Sequence, residues 1–447
     1  MKQFVTILTL VVTLSTSALA QNNSLESVFI LNEGNFNAGN ATLTHFETSN
    51  STTSQAVFLT ANSTGLGDVG QSLAWINKKI FAVINNSGKV VVIDPDSYAQ
   101  VGQISLGAFS SPREIVPVSE TKAYVTDLYG NKLYIVDLDD YSISSTEIAV
   151  GLNPDQMLYT DNYLFVANNG FGADSSIMAI DPSLDQVIDT IYTPSGPAAM
   201  HALEDGSILV VCTGYAGDYD DNWQIIDGTA RSGGLYQVFP GNPDKDTLLA
   251  ELPSAGNDLI VDESKGKVYV NAGGIREYDL NTATMAEDTL IKGNFYTMAY
   301  DEVSGTLYLG DAKDYSSAGE ITTYDGSGNR LSAFSSGIIP GDMLMVYSDM
   351  IHTSAEYTVE YSFELYQNYP NPFNPSTTIT YSVTKPQQIR LEIFDITGRS
   401  IAVLANDFKQ VGTHQVRFDA SSFASGLYFY KLSTEEGSVI RKMQLIK

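Results

Sequence analysis

The sequence predicts an all-β protein: a seven-bladed β-propeller followed by a small immunoglobulin-like β-sandwich. Three observations carry this. A two-strand pattern recurs seven times at a period in the mid-forties, Gly, Asn and Pro stand at matching turns, and residues 366–447 change to a separate set of short alternating strands. A four-stranded unit of roughly 40–45 residues is the size of one propeller blade.

The clearest copy is Thr121–Asp137. Ala123–Asp127 alternates apolar and polar residues, Gly130 and Asn131 make a turn, and Leu133–Val136 returns to Asp137. Aromatic and β-branched residues at period two between such turns read as a β-hairpin. First strands recur at Val28–Leu31, Phe81–Ile84, Leu164–Ala167, Leu209–Val211, Val268–Val270 and Leu307–Leu309. Their partners are Ala41–Phe46, Val90–Asp94, Ile177–Asp181, Leu235–Phe239, Ile275–Asp279 and Ile321–Asp325. From Glu47 to Asp94 is 47 residues, then 43 to Asp137 and 44 to Asp181; the 98 to Asp279 hold two units and an insertion, and Asp325 follows 46 later. Outer and inner strands follow each hairpin, as in Tyr98–Ile104 with Ser111–Val118, Ser142–Val150 with Gly151–Met157, and Gln186–Tyr192 with Ser195–Met200. Gly and Pro before the inner strands suit backbone crowded around an axis.

The domain plan is a leader at 1–20, a propeller at 21–346, a linker at 347–365 and a sorting sandwich at 366–447. Residues 1–20 have a basic start, an apolar run and a Ser17-Ala18-Leu19-Ala20 end, the pattern of a secretory signal peptide. No cysteine follows it to take a lipid anchor, and no later stretch is apolar enough to cross a bilayer as a helix. The one cysteine, Cys212, lies in an apolar strand, so it reads as a buried, inert thiol. The net charge is −28, yet residues 360–447 hold nine Lys and Arg against eight Asp and Glu, so the excess acid belongs to the repeats. That field opposes nucleic acid and anionic membrane, and fits solubility outside the cell or attraction of cations.

The strand-Gly-Pro-strand repeat resembles the surface-layer and YncE-like seven-bladed propellers. Phe29-Ile30-Leu31-Asn32-Glu33-Gly34-Asn35-Phe36, Gly67–Ser72, Val83–Lys89, Ser111-Pro112-Arg113 and Ala123–Tyr129 resemble the propellers grouped under a DUF5074-type domain. That group includes BtuG-type surface proteins, which capture cobalamin and related corrinoids for an outer-membrane transporter. The resemblance covers roughly residues 27–345 and implies a corrinoid as ligand; no definite cofactor and no metal-ligating residues are expected. The chain departs from the pattern by lacking a lipid-anchor cysteine. The inner-strand pattern at Ile339–Val346 has no blade of its own, so it is expected to join the N-terminal hairpin and close the ring.

On this layout one face carries Gln71, Arg113, Asp155, Gln156, His201, Asn257, Asp258, Tyr296 and Asp342 near the axis. Asn32, Asn35, Phe36, Asn85, Asn86, Asp127, Tyr129, Asn168, Asn169, Phe171, Asp311 and Tyr315 surround them. Amides, carboxylates and phenols of this kind hydrogen-bond a large polar ligand, and aromatic rings offer it flat surfaces. The competing reading is that Asn and Asp populate tight turns. The insertion Gly214–Gly234 brings Tyr215, Tyr219 and Trp223 beside Asp218, Asp220 and Asp221. It is placed to contact ligand, to bind calcium or to serve as plain elaboration; the DxDxDG spacing is absent.

No HxH, HExxH, CxxC, GxSxG or phosphate-cradling loop occurs, and the four histidines fall in different repeats or domains. A non-enzymatic role is therefore expected, with a propeller lyase or oxidoreductase as the lesser alternative. Tyr366-Gln367-Asn368-Tyr369-Pro370-Asn371-Pro372-Phe373-Asn374-Pro375-Ser376-Thr377-Thr378-Ile379 opens the last domain. With Ile393–Arg399, Phe418-Asp419-Ala420, Ser425–Tyr430 and Lys442–Lys447, it resembles the type A C-terminal sorting domain of the type IX secretion system. The resemblance implies recognition by that machinery and delivery of a folded cargo across the outer membrane. The expectation is an exported binding propeller, at the cell surface or released, that takes a corrinoid or similar polar nutrient. A carbohydrate or protein ligand on the same face is the alternative.

Overall fold

The computed structural model describes residues 23–160, 163–218, 220, 224–252, 256–352, 363–383, 385–394, 399–434 and 437–447. The chain divides into two compact units, Met1–His352 and Thr353–Lys447. The expected leader, the middle of the expected linker, Tyr219, Asp221 and Trp223 lie outside the described residues.

The first unit is built from seven four-stranded antiparallel sheets. Sheets 1 to 6 begin at the strands Gly70–Ile76, Pro112–Ser119, Pro154–Thr160, Pro197–Ala202, Asp258–Asp262 and Thr297–Asp301, and each runs outward through the next three strands in sequence. Sheet 7 begins at Pro340–Tyr347, which pairs with Leu25–Asn32 from the other end of the chain, Met343 opposite Ile30 and Met345 opposite Val28. The shared sheet expected from the sequence is thus present, and it leaves neither end of the unit with an unpaired inner strand. The first strands of consecutive sheets touch one another in a cycle, 1 to 7 and back to 1, which is a propeller-like arrangement.

The apolar runs follow from that arrangement. In Lys79–Ile84, Ile80, Ala82 and Ile84 pack toward sheet 7, while Phe81 and Val83 pack toward sheet 2. Alternate side chains of a strand point to opposite faces, so a strand covered on both faces must be apolar throughout. Each of the seven sheet junctions has its own buried cluster, from Ile76–Leu138 between sheets 1 and 2 to Phe29–Val346 between sheets 7 and 1. Burying each such Val, Ile, Leu or Phe is worth about 1.5–3 kcal/mol. Cys212 belongs to the junction of sheets 3 and 4, and burial pushes its thiol up to about 12, so it is unreactive.

The second unit holds a three-stranded and a four-stranded antiparallel sheet around one core. Ile379, Tyr381 and Val383 face Ile389, Leu391, Ile393, Tyr430 and Leu432, while the intervening residues face outward. Phe363–Leu365, expected to lie in the linker, pairs as a strand with Tyr381–Val383, and its buried Phe363 and Leu365 belong to this core. The Tyr366–Pro375 loop is held by Asn368, whose backbone N–H donates to Tyr430 Oη at 2.8 Å and whose side chain donates to Thr377 Oγ1 at 2.9 Å. Phe373 is buried and exchanges backbone hydrogen bonds with Gln444 and Ile446. Asp395–Gly398 of the sorting motif lie outside the described residues.

Candidate functional site

At the starting ends of the seven inner strands the first unit has a cavity of about 820 Å³. Its wall repeats from sheet to sheet. The pairs Gln71-Ser72, Arg113-Glu114, Asp155-Gln156, Ala198-Ala199, Asn257-Asp258, Tyr296-Thr297 and Gly341-Asp342 occupy matching positions, and every one of these residues except Ala199 lines it. In sheets 1, 2, 3 and 7 both residues reach the cavity across a β-bulge, as between Gly70 and Ser72 or Pro112 and Ile115, while the bulge of sheet 4 brings only Ala198 to it. A bulge adds an unpaired residue and re-aims its side chain.

The second members of four pairs also tie neighbouring strands together. Glu114 accepts the Met157 N–H, Gln156 the Met200 N–H and Asp342 the Leu73 N–H, and Ser72 donates to the Arg113 carbonyl at 2.7 Å. Above them, Arg113 makes a forked contact with Asp155, at 2.9 and 3.3 Å, and donates to Gln71 Oε1. Tyr296 donates to Glu33 at 2.9 Å. The mouth is rimmed by the exposed rings of Phe36, Phe109, Tyr129 and Phe171. Phe171 sits at φ 51, a left-handed conformation that costs about 1–3 kcal/mol for a non-glycine residue and holds its ring out at the mouth.

Five carboxyl groups and one guanidinium line the cavity. Burial pushes Glu114 up to about 8, against the Met157 hydrogen bond, with Asp155 and Asp342 adding to it. Burial likewise raises Asp258 to about 7 and Asp342 to about 6. It raises Glu33 too, against the Tyr296 hydrogen bond and Arg113. For Arg113 burial pulls downward, and the neighbouring Asp155, with Glu33 and Tyr296, more than offsets it.

These raised carboxyls make stability fall with pH. Their contribution is full below the ordinary carboxylate values of 3.8 and 4.5, and is lost as pH rises through about 6, 7 and 8. The protein should melt lower at pH 8.5 than at pH 5.5, with these groups accounting for about 1–3 kcal/mol once solvent in the cavity is allowed for. The Glu114→Gln, Asp258→Asn, Asp342→Asn triple variant should show a shallower decline; an equal decline would place its source elsewhere.

Of the residues singled out from sequence, Phe36, Gln71, Asn85, Asn86, Arg113, Tyr129, Asp155, Gln156, Asn169, Phe171, Asn257, Asp258, Tyr296 and Asp342 line the cavity. Others serve their own hairpins. Asn32 donates to Thr42 and Thr44, Asn168 donates to Ser176, and Asp127 accepts from Ser111, Gly130 and Tyr134. Asn35 donates to the Tyr315 carbonyl, and Asp311 accepts the Lys313 N–H. His201 lies further along its strand, opposite Leu209, where Nε2 meets Glu263 at 3.1 Å, away from the cavity lining. Tyr215 donates to Asp218 and lies under Arg231 rather than along the lining. Glu33, Glu114, Ser110, Ser111 and Phe109 line the cavity without having been singled out. Among the described residues, no three His, Cys, Asp or Glu side chains gather closely enough to hold a metal ion.

Residues 26–215 match the family described as "Domain of unknown function (DUF5074)". Residues 367–447 match the "Secretion system C-terminal sorting domain". The chain is therefore exported by type IX secretion, to the cell surface or beyond it. No helix among the described residues is long and apolar enough to cross a membrane. No curated protein matches the chain. Among solved structures, it is similar to a quinonprotein alcohol dehydrogenase-like protein from Bacteroides thetaiotaomicron, at 12% identity and a TM-score of 0.52, over 73% of this chain and 79% of the other. It also aligns with hydrazine synthase of Kuenenia stuttgartiensis, at 15% identity and a TM-score of 0.47 over 61% and 88% of the two chains. AztD from Citrobacter koseri aligns at 13% identity and a TM-score of 0.46 over 72% and 97%. The first is a likeness of fold.

Proposed function

We propose that this chain is an exported, non-enzymatic binding protein. In this reading the seven sheets are the blades of a seven-bladed β-propeller, and its axial cavity captures a corrinoid or comparable polar nutrient. An immunoglobulin-like sorting domain at residues 366–447 delivers it, following a secretory signal peptide at 1–20. The carrying observation is the cavity: about 820 Å³, floored by amides and carboxyls and rimmed by four exposed aromatic rings. Ligand pockets are typically about 300–1,000 Å³, with a few convergent polar groups and much aromatic surface. A corrinoid is a flat macrocycle edged with carboxamides, so the rings meet its faces and the floor meets its edge. The DUF5074 match supports the same reading. No histidine, lysine or cysteine is among the lining residues; the titratable groups there are five carboxyls, two phenols and one guanidinium.

A carbohydrate is the second reading, favoured by the same exposed rings, which stack on sugar faces. The test is gel filtration of the full chain with cobalamin or cobinamide, reading visible absorbance in the protein peak. The corrinoid reading predicts stoichiometric colour. A colourless peak at concentrations well above micromolar would remove it and turn attention to glycans.

A further inference from the structure

The ring of first-position side chains is broken in two places, at Ala198 and Gly341, and the two gaps differ. A Cβ at Gly341 would stand 2.8 Å from Glu33 Cγ, so the Glu33 side chain already fills that gap. Ala198 lines the cavity between the Asp155-Gln156 pair of sheet 3 and the Asn257-Asp258 pair of sheet 5. Asn169 donates to the Pro197 carbonyl at 3.3 Å, and Thr213 donates to the Gly196 carbonyl at 3.3 Å, which fixes both at its edge. Phe171 stands above on the rim, two residues beyond Asn169. The next residue, Ala199, is turned into the junction core and sends nothing into the space. The other sectors present a guanidinium, carboxyls, a phenol or long amides.

Resting on the binding reading above, we propose that the recess over Ala198 is a subsite for a carboxamide- or hydroxyl-bearing side group of the ligand, and that the size of residue 198 sets which ligands fit. Asn169 and Thr213 offer it hydrogen bonds, and the Ala198 methyl group sets its depth. Such a break in the ring also fixes how a disc-shaped ligand is rotated about the axis.

The sole cysteine is fully buried, so a maleimide leaves the native chain unlabelled and a new thiol can be read against a silent background. The full chain is prepared as Ala198→Cys and, separately, as Tyr129→Cys at the rim, each checked for native melting. Both thiols should label. Dicyanocobinamide, whose cyanide ligands keep its cobalt off the thiol, should slow both reactions by more than about tenfold when present at 100 times its dissociation constant. Ala198→Phe should weaken binding at least about tenfold, whereas Ala198→Ser should not. Protection at Tyr129→Cys alone would overturn the subsite and leave the binding reading standing. Protection at neither thiol would remove both. An Ala198→Cys thiol that fails to label without ligand would show that the recess is closed.

Discussion

A chain ending at residue 359 is expected to fold and to remain behind the outer membrane, while the full chain reaches the surface or the medium. The seven junction clusters of the first unit draw no residue from 363–447, so its core is complete without the second unit. The sorting domain has its own core and is the part that the secretion machinery recognises. Cell fractionation, with protease accessibility of intact cells, reads the outcome. The loss should be near complete, because recognition is removed rather than weakened. Appearance of the truncated chain outside the cell would mean that residues 1–359 carry their own route.

Replacing Arg113 with alanine is expected to disable the cavity and to destabilise the first unit by about 1–3 kcal/mol. Arg113 is the one cation among its lining residues and holds Asp155 and Gln71 at once. Its loss leaves Asp155 facing four further carboxyls with no counter-charge. Removing one partner of a paired charge costs more than the pair contributes. The figure is held down because the two side chains are 24% and 37% exposed, so water takes up part of the loss. Arg113→Lys should recover little, since an ammonium cannot make the forked contact. Urea unfolding at pH 7 measures the effect; no change would show that solvent already screens the pair.

Much of the fold could be read directly because each second strand is buried on both faces. Phe81–Ile84, Leu164–Ala167 and Leu209–Val211 therefore appear as unbroken apolar runs at a constant period. The sorting motif was legible for a different reason: Asn368, Phe373 and Thr377 each have a buried role that few other residues satisfy. The cavity was read in part. Gln71, Arg113, Asp155, Asn257 and Tyr296 directly follow the turns into the inner strands, so their placement near the axis came with the repeat. Glu114 was not singled out, although it follows Arg113 as Gln156 follows Asp155; in both sheets the bulge lets two successive residues reach the cavity. Glu33 reaches the cavity through the gap at Gly341, a contact between chain ends that local pattern does not reveal. Asn32, Asp127 and Asn168 look like site residues in sequence but are spent on their own hairpins, where a short polar side chain satisfies turn backbone.

The central claim is that the aromatic mouth of the axial cavity binds ligand. Its most direct test is a visible-absorbance titration of cobinamide into the native chain and into the Tyr129→Ala, Phe171→Ala double variant. Both rings are 68% exposed, so their removal should leave melting unchanged. The account predicts saturable one-to-one binding by the native chain and a loss of about tenfold or more in the double variant, in line with about 0.5–1.5 kcal/mol per aromatic contact beyond area. Equal affinity in the two proteins would contradict it and place the corrinoid elsewhere on the molecule.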